Sequence, residues 1–205
     1  MKTVVVNGLK GQDPRAIYDN IIFTYETKDE SGNLSRVSDI VFIGDYVDYK
    51  ENPDELQIKH LLDLFWLQEH DNRIHILLGD QEIKYLLDSD DNMVKTILLE
   101  QINKENVFFA YYDHWQLYIH NILTNDFLKD NKIVGNPEQI TIQLNQMLRC
   151  KMFEPLNKNY KIDDDHRYCG CNQVVAHSTT NGIKIGRGIN CIENALQTTY
   201  ILFEQ

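Results

Sequence analysis

Three short runs of aliphatic and β-branched residues constrain the fold of this chain more than any other feature. They are Thr3-Val4-Val5-Val6-Asn7, Asp39-Ile40-Val41-Phe42-Ile43 and Arg73-Ile74-His75-Ile76-Leu77-Leu78. Each stops at a polar, glycine-bearing turn: Gly8-Leu9-Lys10-Gly11, Gly44-Asp45, and Gly79-Asp80-Gln81-Glu82. Near-continuous apolar runs of this length suit strands buried on both faces. Between them lie helical signals. Asp13-Pro14 reads as an N-cap followed by proline at the first helical position, opening a helix to about Tyr25. Pro53-Asp54 opens a second helix, in which Leu56, Leu61, Leu62, Phe65 and Trp66 recur at helical spacing. Strand, helix, strand, helix, strand is the order of a mostly parallel sheet with helices on its faces. In such sheets ligands bind at the carboxyl ends of the strands, so the three glycine turns are expected to gather along one edge.

Further along, a helix is expected through Leu87, and the charged stretch Ser89 to Glu105 also reads as helical. Lys28 to Ser38, centred on Ser31-Gly32-Asn33, reads as a surface loop or small hairpin. Trp115 to His120 is a strand leading into a histidine, and Pro137 to Arg149 is an amphipathic helix. Gln173 to Ala176 is a strand ending at His177, with Ile183–Ile189 and Thr198–Phe203 as closing strands. Neither a repeat nor a linker interrupts the 205 residues, so residues 1–205 are expected to form one domain. The fold class expected is α/β: two β-sheets, the N-terminal half mostly parallel, flanked by helices.

Composition narrows the partners. A net charge of −11 argues against nucleic-acid backbones and anionic membranes, which reward basic surfaces. No apolar run reaches the roughly 18 residues of a membrane span. The apolar start, Met1 to Val6, is too short for a signal peptide, so a cytoplasmic, intracellular setting is expected. Cys150, Cys169, Cys171 and Cys191 are too sparse for a disulfide scaffold and fit reduced thiols. Cys169 and Cys171 can be drawn with His166 and His177 as a zinc site, but their C-x-C spacing is tighter than the usual knuckle, and idle thiols fit better.

The chemistry lies in the strand-end turns. Hydrolysis of phosphate esters at a pair of metals needs a bridging carboxylate, further Asp, Asn and His ligands, and positive groups facing the phosphoryl oxygens. The chain offers, in order, Asn7-Gly8-Leu9-Lys10-Gly11, Gly44-Asp45-Tyr46-Val47-Asp48-Tyr49-Lys50, Gly79-Asp80-Gln81-Glu82, Ile119-His120 and Ala176-His177-Ser178. This series resembles the calcineurin-like metallophosphoesterases, in the branch of serine/threonine phosphatases and symmetrical diadenosine tetraphosphatases. That branch carries GDxHG, GDxVDRG, GNHE, a strand-end histidine and a C-terminal GH. The resemblance implies that Asp45 is the bridging carboxylate, with Asp80, His120 and His177 as the other ligands of one metal (Mn, Zn or Fe).

The departures are as informative. The Asp and His slots of the other metal hold Gly8 and Lys10, and protonated Lys10 puts a positive charge about where an ion would sit. Gln81 stands in the slot of the proton-donating histidine and cannot transfer a proton at neutral pH. Tyr49 replaces the phosphate-clamping arginine, with Lys50 as a possible substitute, and Asp48 is left without the histidine it would orient. The bland alternatives are turn-capping roles for Asp45 and Asp80, a solvated loop lysine at position 10, and structural roles for His120 and His177. His75, alternating within a strand, is expected to be structural; His60, His70, His114 and His166 have no slot, and Asp163-Asp164-Asp165 reads as a solvated loop. The expectation is a degenerate phosphoesterase with one divalent metal or none, acting as a pseudophosphatase that binds or scaffolds a protein partner. Two alternatives stand beside it: an active one-metal enzyme on phosphomonoesters or nucleotide anhydrides, and a structural component of a larger assembly or virion.

Overall fold

A computed structural model of the chain describes residues 2–9, 11–26, 28, 32, 35–47, 55–90, 92–121, 123–156, 170–176, 189–191 and 199–204. The three apolar runs become β1 (Lys2–Asn7), β2 (Asp39–Ile43) and β3 (Ile74–Leu77), which pair in parallel with Val4 opposite Ile40 and Ile40 opposite Ile74. β4 (Val107–Phe108) extends the sheet in parallel beyond β3, and β9 (Thr199–Glu204) closes the other side antiparallel to β1. The order across this first sheet is β4-β3-β2-β1-β9. A second sheet has the order β5-β6-β7-β8, from β5 (Ala110–Tyr112), β6 (Gln116–Ile119), β7 (Asn172–Val175) and β8 (Ile189–Cys191). Its β5–β6 pair is an antiparallel hairpin, while β6, β7 and β8 run parallel.

The period of two along each strand sorts its side chains into two layers. Val5, Val41, Ile43 and Leu77 of the first sheet meet Tyr118, Val174 and Ala176 of the second, forming the layer between the sheets. Their neighbours Val4, Val6, Ile40, Phe42, Ile74 and Ile76 face the other way, into the helix-covered core. There they join Ile17 and Ile21 of α1 (Pro14–Tyr25) and Leu61, Leu64 and Phe65 of α2 (Glu55–His70). Leu117, Ile119 and Val175 join the same cluster with residues of α4 (Met93–Asn103) and α6 (Pro137–Arg149). Fully buried strand residues such as Ile40, Phe42 and Ile76 each contribute about 1.5–3 kcal/mol of transfer free energy.

Helix starts follow their capping residues. Asp13 accepts the Arg15 N–H at 2.9 Å with Pro14 at the first helical position. Asn136 and Gln139 cap each other's backbone at 2.9 and 3.0 Å. Asn92 caps α4, so that helix begins at Met93 rather than at Ser89. The short strands β4 and β5, the short helix α5 (Asn125–Asp130) and α7 (Phe153–Leu156) were not expected, because elements of two to six residues carry too little periodicity to read. At the sheet edge opposite the glycine turns, Arg73 ties three segments together: it pairs with Asp71 at 2.6 Å and with Glu26, and donates to the Val37 carbonyl at 3.1 Å. Among the described residues, no helix is long and apolar enough to cross a membrane.

Candidate metal centre

The carboxyl ends of β2, β3 and β6 bring Asp45, Asp80 and His120 together. One ligand atom from each lies within 4.8 Å of the others. After β2 the chain turns through two consecutive left-handed residues, Gly44 (φ 61°) and Asp45 (φ 60°). That conformation is uncommon for a residue with a side chain, and Asp is among the few types that tolerate it. It swings the Asp45 carboxylate toward β6.

The close approach depends on missing side chains. A Cβ on Gly79 would lie 2.7 Å from the Asp45 nitrogen, 2.8 Å from Asp45 Oδ1 and 2.9 Å from His120 Cε1. A Cβ on Gly44 would lie 2.6 Å from His120 Nδ1. Contacts of this kind are well inside van der Waals range, so glycine is required at both places.

Glu82, in the first turn of α3 (Asp80–Leu87) and fully buried, holds the two turns in place. Its Oε2 accepts the N–H groups of Asp45 and Gly79, each at 2.9 Å, and its Oε1 accepts those of Tyr46 at 2.8 Å and Val47 at 3.3 Å. Burial, with the negative charge of Asp45 beside it, pushes the Glu82 carboxyl up to about 7 against the pull of these donors. The Tyr46 hydroxyl adds a second brace, donating to the Leu77 carbonyl at 2.6 Å and accepting the Gly44 N–H at 2.9 Å.

His120 ends β6 and is only 2% exposed. Its Nδ1 donates to the Ile43 carbonyl at 3.1 Å, which fixes the ring and turns Nε2 toward the carboxylates. Nε2 stands 3.2 Å from Asp80 Oδ1 and 3.6 Å from Asp45 Oδ1. Burial by itself would lower the imidazole's basicity. The Asp80 hydrogen bond and the charges of Asp45 and Asp80 outweigh it and push the value up to about 9. The other Asp80 oxygen, Oδ2, lies 3.0 Å from Lys84 Nζ, one helical turn further along α3. The donor set fits a divalent transition metal: two carboxylate oxygens and an imidazole nitrogen whose partner nitrogen is anchored on a backbone carbonyl.

Of the residues expected at the site, Asp45, Asp80 and His120 are brought together. Lys10, Asp48, Lys50 and His177 lie outside the described residues, as do Tyr49 and the Pro53-Asp54 helix start. The chain just before position 10 and up to position 176 does reach the same edge. Asn7 Nδ2 donates to the Ala176 carbonyl at 3.4 Å, and the Ala176 N–H donates to the His120 carbonyl at 3.1 Å. Gly8 (φ 61°) sits directly against the centre: a Cβ there would be 3.1 Å from the Asp45 carbonyl oxygen and 3.6 Å from Asp45 Cβ. Position 8 therefore adjoins Asp45 and, as glycine, supplies no ligand atom. The half-buried Gln81 follows Asp80, and its Oε1 has no hydrogen-bond partner among the described residues.

The remaining candidates fall elsewhere. His75 pairs with Asp39 at 2.9 Å and stacks on Tyr111 at 3.8 Å, at the opposite ends of β2 and β3. Cys150 is an exposed free thiol, and burial pushes the half-buried Cys171 thiol up to about 11. Cys169 and His166 lie outside the described residues, as does the side chain of Cys191. Glu82 and Lys84 carry no expected role from the sequence. Each had a local signal: Glu82 completes a G-x-x-E spacing at a helix start, and Lys84 is four residues from Asp80 on the same helix face.

No family model and no curated protein matches the sequence. Among solved structures, the fold matches one described as a cold-active protein tyrosine phosphatase, with a TM-score of 0.58 and 12% identity, covering 99% of this chain and 73% of that one. The chain thus shares its mixed α/β architecture, a parallel-rich sheet flanked by helices, with a phosphatase.

Proposed function

We propose that this chain is a degenerate calcineurin-like metallophosphoesterase, of the branch that includes the serine/threonine phosphatases. In this reading it keeps one divalent-metal site and has lost hydrolytic competence, so that it works as a binding or scaffolding protein. One observation carries the reading: Asp45, Asp80 and His120 converge on a single point, while the position flanking Asp45 on its other side is the bare Gly8. Asp45, Asp80 and His120 would hold the ion, with His177, next to Ala176, as the fourth ligand. A bound divalent ion supplies Lewis acidity toward a phosphoryl oxygen. The chain's own contribution to proton transfer is poor, since Gln81 follows Asp80 where an acid would be needed. General acid catalysis is worth about 10²–10⁴-fold, and its loss together with one metal's ligands leaves little turnover.

Metal analysis of purified protein is expected to find about one equivalent of Mn, Zn or Fe, falling to background in Asp45→Asn and His120→Ala. Protein that takes up no metal would refute the site. Metal-dependent hydrolysis of an aryl phosphate or nucleotide anhydride, abolished by both substitutions, would instead establish a working one-metal phosphoesterase.

A further inference from the structure

Asp80 divides its carboxylate between two partners. Oδ1 faces His120 Nε2 at 3.2 Å, and Oδ2 faces Lys84 Nζ at 3.0 Å. The Asp80 and Lys84 side chains are 24% and 34% exposed, whereas His120 is 2% exposed, so the ion pair lies on the solvent side of His120, as the 29% exposed Asp45 also does. Among the described residues, Lys84 is the cationic side chain paired to a member of the trio. Its positive charge adds to that of a bound divalent ion, against the carboxylates of Asp45 and Asp80.

On this basis, and resting on the one-metal reading above, we propose that Lys84 is the anion-recognising residue of the site. It makes the metal-loaded centre a receptor for a tetrahedral oxyanion of the phosphate class. Nζ carries three donors on a flexible stem, so it can keep Asp80 Oδ2 and still offer an N–H to an incoming oxyanion. The protein's overall acidity, −11, works against such an anion, so a local cation matters at the site. Lys84 also has an opposite effect on the metal, since its positive charge repels the ion that Asp80 helps to hold.

The test is calorimetric titration of the whole protein with Mn²⁺, and then of the Mn²⁺-loaded protein with inorganic phosphate, for wild type, Lys84→Met and Lys84→Arg. Lys84→Met is expected to hold Mn²⁺ at least as tightly as wild type and to bind phosphate about tenfold more weakly. Lys84→Arg, which keeps the charge, is expected to stay within about threefold of wild type for phosphate. Two results would overturn the inference while leaving the metal site intact. One is phosphate affinity unchanged in Lys84→Met; the other is Mn²⁺ affinity lost in it, which would make Lys84 a brace for Asp80 and nothing more. Wild-type protein that takes up no Mn²⁺ would overturn the one-metal reading and the inference together.

Discussion

Glu82 supports the candidate site without touching the point where a metal would sit, and Glu82→Gln tests that role. The carboxylate accepts four backbone N–H groups, two on each oxygen, at 2.8 to 3.3 Å. Glutamine has the same shape but one acceptor oxygen. Whichever way its amide is turned, two of the four N–H groups then face an NH₂ donor. Each orphaned, buried N–H costs about 1–3 kcal/mol, giving a gross loss of about 2–6 kcal/mol. The neutral amide also relieves the burial of a charge beside Asp45, which trims the upper end, so a net loss of about 2–4 kcal/mol is expected. Urea unfolding at about pH 8.5, where the carboxyl is ionised, should show a midpoint lower by about 1 M or more with an unchanged slope. Hydrogen exchange should speed up at the amides of Asp45, Tyr46, Val47 and Gly79. A midpoint within about 0.2 M of wild type, with those amides still protected, would refute the idea that Glu82 holds the two turns together.

Gly79→Ala puts a methyl group 2.7–2.9 Å from Asp45 and His120, so it is expected to cost about 1–3 kcal/mol of stability and to abolish Mn²⁺ uptake. Undiminished uptake, measured by titration, would show that the close approach of the two turns is not needed. Asp71 supplies an acid-stability test. Burial alone would raise its carboxyl, but the hydrogen bonds from Arg73 outweigh this and hold it at about 2, below its ordinary 3.8. The stability it contributes is therefore fully present above about pH 4 and is lost as pH falls through about 2. Asp71→Asn should lower the urea midpoint at pH 5 and flatten its decline toward pH 2; parallel declines in wild type and variant would count against the linkage.

The three parallel strands β1, β2 and β3 and their alternation with helices were legible in the sequence because both depend on local patterns. Asp39–Ile43 and Pro137–Arg149 are found with the bounds that their composition and caps predict, since a β-branched run and a capping box act within a few residues. The glycine turns were legible as a set, because a strand that ends in Gly-Asp must present that aspartate at the sheet edge. Gly44, Asp45, Gly79 and Asp80 could thus be named as neighbours before any geometry was known, and the family resemblance added His120. Tertiary structure alone decided how they meet. The left-handed turn at Asp45, the contact that makes Gly79 obligatory, and the Ile43 carbonyl that orients His120 join residues 34 to 77 positions apart, and no local pattern encodes such distances. Glu82 is the sharpest case. Its sequence spacing announces a helix cap, a role it does fill at Gly79, yet three of its four partners belong to the turn after β2. The sequence determines which groups arrive at the edge of the sheet. Packing decides which of them share a proton, a charge or a metal, because those depend on distances of 3 to 4 Å that only the folded chain sets.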